Sequence, residues 1–218
     1  MDQTFPPVLP IVIAVMSLGL LPFAVVMGTA FTKISIVLML LRNAIGVQQA
    51  PSGIVINSIA LSLTLFIMVP VGEEILSSFQ EAKYGLNDWD SAVSFFHIVS
   101  KSFEGYLTRV TSERELSFFL DAAMKIWPPS LHDYVNRANL FILLPAHVTS
   151  EITKAFEISF LIFLPFVIVD LVVSNVLLAM GAMMVPPMLI SLPIKILFFV
   201  AIDGWAILLH NLLLSYAY

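Results

Sequence analysis

Three ionisable residues stand inside otherwise apolar stretches of this chain: Asp170, Lys195 and Asp203. A carboxylate near a bilayer centre costs about 2.5 to 3.5 kcal/mol on insertion scales, so none of the three is expected to face lipid. Three arrangements suit such residues: an ion-pair network between subunits, a proton or ion path within one chain, or a simple buried pair. Lys195 and Asp203 lie eight residues apart, about 80° around a helix, so they do not pair with each other and their partners come from other segments. A hairpin turning at Pro186 and Pro187 levels Asp170 with Asp203, whereas one turning near Ile190 levels it with His210; both registers stay open. Glu151, Lys154 and Glu157 follow helical i, i+3 spacing. Glu151 and Lys154 are placed to pair locally on a solvated first turn or to meet a neighbouring subunit.

Met180, Met183 and Met184 fall within about 100° of one helical face, directly before the Pro186-Pro187 break, and Met188 follows it. A ring of unbranched, flexible thioethers closes a pore against water and ions yet deforms around a passing polypeptide. Ordinary core filling is the competing reading. Ala24, Gly28 and Thr32 recur every fourth residue, a spacing of small side chains that lets another helix approach closely, within the chain or between chains. Signals for catalysis are poor. His97, His132, His147 and His210 are scattered, and the sequence has no His-Glu-x-x-His, no Gly-x-Ser-x-Gly and no glycine-rich phosphate loop. No cofactor, metal or catalytic residue is expected.

The elements that must carry these residues are long and apolar. Gln3 to Thr32 and Asn43 to Gly72 run without a formal charge, as does Leu171 to Ile194. Each is long enough to cross a hydrocarbon core of roughly 30 Å as helix. Hydrophobic residues make up 59% of the chain and charged ones 11%, against about a quarter charged in soluble domains, which makes this an all-α membrane protein. The net charge of −5 and the absence of any Lys/Arg cluster argue against nucleic acid as a partner. Without cysteine there are no disulfides and no thiolate sites. No positive n-region precedes the first apolar run, so the first span is expected to be retained.

Charge divides the chain of 218 residues, read as one domain, into three parts. Residues 1–72 form two N-terminal hydrophobic helices, 73–157 a polar helical middle with 19 of the 25 charges, and 158–218 a C-terminal hydrophobic hairpin. Span one is expected over Val8 to Leu41, breaking or tilting near Pro22. Span two covers Ser52 to Val71, span three begins near Ile158 and ends at Pro186-Pro187, and span four follows Pro193. Lys33 and Arg42 place the 42–52 turn in the cytoplasm and both termini outside. In the middle, Ser112 and Glu115 form a capping box opening a helix toward Trp127, stopped by Pro128-Pro129. A second helix is expected over Ala92 to Val110, with Asp90 or Ser91 as its cap.

Longer strings carry a resemblance. Phe31-Thr32-Lys33-Ile34, Leu41-Arg42-Asn43-Ala44-Ile45-Gly46 and Gln48-Gln49-Ala50-Pro51 resemble the FliP/SctR (YscR) family of flagellar and virulence type III secretion export-apparatus subunits. The second half agrees through Ser150-Glu151-Ile152, Val169-Asp170-Leu171, Met183-Met184-Val185-Pro186-Pro187, Ile190-Ser191-Leu192-Pro193, Lys195 and Asp203-Gly204-Trp205. The compact length is more similar to the virulence branch.

The resemblance implies a pentamer joined by S/Q-type and T/R-type subunits, with U/B-type and V/A-type export proteins as neighbours. Such a complex is a helical, cone-like pore held largely above the plane of the bacterial inner membrane, and it passes unfolded secreted proteins. It further implies a methionine gasket at Met183 and Met184, and subunit contacts that satisfy Glu151, Asp170, Lys195 and Asp203. The chain departs from the family's pattern at Ala182, where the flagellar type has a further Met, and at His147, where an aromatic or aliphatic residue is expected. A small secondary transporter or ion channel lined by Asp170, Lys195 and Asp203 is the alternative. The two halves show no internal repeat to support it.

Overall fold

The computed structural model describes residues 19, 22–23, 25–47, 50–81, 89–182 and 184–217, with residues 81 and 89–96 described by backbone alone. Every element among them is helical. Residues 25–28 are helical and lead through Thr29 and Ala30 into α1, Phe31–Ile45. The interruption is stabilised by hydroxyls. Thr29 Oγ1 donates to the Val25 carbonyl at 2.5 Å and Thr32 Oγ1 to that of Val26, so carbonyls freed by the break are re-satisfied locally. The break expected near Pro22 therefore falls later, at Thr29-Ala30, while Pro22 itself is helical; most of the expected first span before Val25 lies outside the described residues. Gly46, in the left-handed conformation at φ 91°, closes α1 by donating its N–H to the Asn43 carbonyl.

Helix α2 runs Gly53–Glu81, and α3, Trp89–Val110, contains the expected Ala92 to Val110 segment but begins before it, so Asp90 and Ser91 lie inside the helix and neither is its cap. Helix α4, Glu113–Ile126, starts and stops where the capping box and the proline pair predict. Its cap differs in origin. Ser112 makes no side-chain cap, and its N–H donates instead to Ser150 Oγ across 3.0 Å, so a hydroxyl from a distant helix holds this turn. A short 3-10 helix, Pro129–Tyr134, follows, and an exposed Arg137–Glu113 ion pair links the next loop back to α4.

Helix α5 spans Leu140–Ala179, so span three starts 18 residues before the expected Ile158. Asn139 sets the start, its side chain accepting the Phe141 N–H at 2.9 Å. Helix α6, Met188–Ala201, carries Pro193 inside rather than before it, and α7, Gly204–Leu214, leaves α6 at a bend of 60°. Among the described residues, two helices are long and apolar enough to cross a membrane, Gly53–Gln80 and Leu140–Ala179, and the bent α6–α7 pair forms a third span if taken together.

Helix α1 is the centre of the packing. Ile34, Val37, Leu38 and Leu41 are buried against Ile56 and Ala60 of α2, Ala155 and Phe166 of α5, and Leu208 and Leu212 of α7. A second core joins Val71, Tyr106, Leu107, Leu116, Leu143 and Ala146, clamping α3 and α4 onto the first third of α5. The amphipathic middle thus packs on the apolar arms.

Candidate functional site

Glu151 is fully buried, three turns into α5. It is not on a solvated first turn: the helix begins eleven residues earlier and its neighbours supply compensation. Lys33 Nζ of α1 lies 3.7 Å from Oε2, Lys154 Nζ lies 3.6 Å from Oε1, and the Tyr216 hydroxyl donates to Oε2. Lys33 also stacks its ammonium 3.6 Å over the Tyr216 ring, a cation–π contact. Lys154 donates to the Val110 carbonyl at 2.7 Å, tying the end of α3 to the same knot. Burial and the Glu151 carboxylate push the Tyr216 phenol above its ordinary range, so it stays protonated and donates. Charges that meet in this way hold helices in one register, since removing one partner strands another in low dielectric. Glu157 of the same i, i+3 series is exposed. His147, one turn before Glu151, is buried with its ring edge-on to Tyr106 at 6.2 Å and 62°, where an aromatic or aliphatic residue is expected.

The second polar centre joins the hairpin. Lys195 Nζ of α6 donates to Asp170 Oδ2 of α5 at 2.5 Å and to the Ala44 carbonyl of α1 at 3.3 Å. Lys195 is buried and the Asp170 side chain is 45% exposed. This fixes the register left open by sequence: α5 ends at Ala179 and the chain reverses from Gly181, at φ 73°, which levels Asp170 with Lys195 rather than with Asp203 or His210. Asp203 sits apart, exposed at the α6–α7 elbow in the left-handed conformation at φ 56°.

The methionines occupy the reversal itself. Met180, Met184 and Met188 are 75%, 97% and 59% exposed, so they fill no core in this chain; Met183 lies outside the described residues. Of the small-residue series, Ala24 also lies outside them, Gly28 is buried and Thr32 is half-buried. A Cβ on Gly28 would stand 3.3 Å from the Phe103 ring, so its missing side chain admits α3. Sequence reasoning does not single out Lys33 or Tyr216 as polar contacts. Lys33 serves there as a topology marker and as part of a family string, and Tyr216 carries no local signal.

Broken apolar helices, ion pairs closed between them and an exposed methionine turn define a helical membrane protein. The chain belongs to the FliP family, whose model matches residues 13–212. It is 44% identical over 211 residues to Yop proteins translocation protein R of Yersinia pestis, covering 97% of each chain. To harpin secretion protein HrpW of Pseudomonas syringae pv. syringae it is 42% identical over 200 residues, 92% of this chain and 96% of that one. Surface presentation of antigens protein SpaP of Salmonella typhi is 41% identical over 204 residues, 90% and 91% of the two chains.

Proposed function

We propose that this chain is the pore-forming gate subunit of a type III secretion export apparatus, several copies of which surround a passage for unfolded proteins across the bacterial inner membrane. Relatives spanning nearly the whole chain carry names that speak of Yop translocation and harpin secretion, which supports the export role. The observation that carries the gate is the α5–α6 reversal. Met180, Met184 and Met188 are exposed there on a turn held in place by the Asp170–Lys195 pair behind it. Repeated around an axis, with Met183, such turns form an apolar constriction that excludes ions by dewetting and yields to a polypeptide because thioether chains repack readily.

The oligomer is a pentamer completed by S/Q-type and T/R-type subunits, with U/B-type and V/A-type proteins adjoining it. Its work is assembly and gating rather than catalysis. The solute-path reading gains nothing from Asp170, because Lys195 already neutralises that carboxylate at hydrogen-bonding distance. Replacing Met183 and Met184 together with Ala should raise the ionic conductance of the reconstituted complex without preventing its assembly. Unchanged conductance in an intact complex would refute the gate.

A further inference from the structure

A cavity of about 500 Å³ opens where the end of α1 meets the start of α2 and the α6–α7 elbow. Ile45, Ile59, Val200 and Trp205 belong to its apolar wall, and Arg42 lines it with a single charge. That arginine is poorly used by its own chain. Its Nη1 reaches only the Pro51 carbonyl at a long 3.4 Å, its Nε is buried without a partner, and no carboxylate among the described residues forms an ion pair with it. A guanidinium presents five donors, so most of its hydrogen-bonding capacity is unspent where unspent donors are costly. The occupant must bring a carboxylate on an apolar body. A helix meets both conditions, because it pairs its own backbone groups and asks the wall only for apolar contact.

This chain carries such a helix. Along α5, Thr153, Glu157, Phe160, Leu164 and Ile168 recur at helical spacing and are all exposed, so they form one outward stripe. Phe160, Leu164 and Ile168 are 64%, 43% and 59% exposed, large apolar side chains with nothing in this chain to cover them. Glu157 is the single carboxylate of the stripe and forms no ion pair among the described residues. Height also agrees. Leu41, the residue before Arg42, shares a groove with Ile158, Leu161 and Ile162, so Arg42 stands almost level with Glu157 along α5. Copies turned about one axis keep equal heights, and the long arginine side chain can take up a small rise between them.

Other exposed carboxylates fit less well. Glu73 and Glu74 lie about 30 Å along α2 from its start at Gly53, far from the level of Arg42. Asp203 belongs to the elbow whose Val200 and Trp205 already line the cavity, so it shares a face with Arg42, whereas neighbours in a ring meet through two different faces. No residue of α5 lines the cavity, which leaves stripe and cavity as separate surfaces.

We infer that the Arg42 cavity of one copy receives the α5 stripe of the next, with Glu157 paired to Arg42 and Phe160 and Leu164 laid against Ile59, Val200 and Trp205. This rests on the reading of the chain as one of several copies around an axis. Each copy then gives a stripe and receives one, a head-to-tail contact of the kind that closes into a ring. A carboxylate gripped by a guanidinium fork among apolar side chains fixes the register of the two copies.

The native complex, gently extracted and weighed intact, tests the contact. Glu157→Arg, at an exposed position, and Arg42→Glu should each lower the fraction of multi-copy particles about tenfold, and the double exchange should bring it back. A photo-crosslinker at Val200 should yield a covalent dimer of this chain, with the adduct between residues 157 and 164. The contact is overturned by undiminished assembly of Glu157→Arg, by a double exchange no better than the single ones, or by a Val200 adduct that maps to another segment or to another protein. An unaltered protein found only as single copies would overturn the multi-copy reading as well, whereas any of the other failures in an intact ring overturns the contact alone.

Discussion

Glu151 shows how a charge survives inside apolar helices: two ammonium groups and a phenol converge on it from α1, from its own helix and from the chain's end. Replacing it with Gln leaves Lys33, itself 2% exposed, without its counter-ion. We expect Glu151→Gln to cost about 3 kcal/mol, seen as a lower unfolding midpoint in detergent. Tyr216→Phe should cost less, about 1.5 kcal/mol, because it removes the hydrogen bond to the carboxylate but keeps the ring beneath Lys33. Equal losses in the two variants would contradict this division of roles. Sequence reading finds Glu151 and Lys154 through their helical spacing, but Lys33 and Tyr216 lie 118 residues before and 65 residues after Glu151, and only the tertiary fold joins them. Asp170 and Lys195 are legible as costly charges needing outside partners; that each is the other's partner depends on where the hairpin turns.

The elements are legible wherever local chemistry marks their ends. The α4 start after Ser112 falls where the Ser-x-x-Glu pattern puts it, although Ser112 makes no side-chain cap, and its stop at Trp127 falls where the proline pair puts it. The start of α5 is not legible, because Glu151, Lys154 and Glu157 read as polar surface when two of them are drawn into packing, and because Pro145 sits within the helix instead of ending it. The α6–α7 elbow is also hidden in a strongly apolar run. It depends on Asp203 in the left-handed region and on Gly204, where an added Cβ would stand 2.3 Å from the Phe199 ring. Phe199 is itself buried and packed against Phe166 and Trp205, so admitting the Cβ means moving a ring out of its aromatic contacts. Gly204→Ala should therefore destabilise the protein by about 1 to 3 kcal/mol, the usual cost of overpacking, read as a fall in unfolding temperature. An unchanged midpoint would mean that the elbow is loosely packed.

For the whole molecule, the buried charges and the exposed apolar surface divide the work. The Glu151 knot and the Asp170–Lys195 pair are closed within one chain and fix its shape, whereas the methionine turn and much of α2, α5 and α6 present large apolar side chains outward. In the proposed assembly the turn meets the same turn of a neighbouring copy. Family resemblance suggests such an assembly because long strings keep their order along almost the whole sequence; the internal pairing of the charges comes only from the fold. The central claim is that copies of this chain gather around a common opening. Native mass spectrometry of the gently extracted complex tests it most directly. Several copies of the chain in one particle, together with smaller membrane subunits, is the predicted result, and a particle containing a single copy would contradict it.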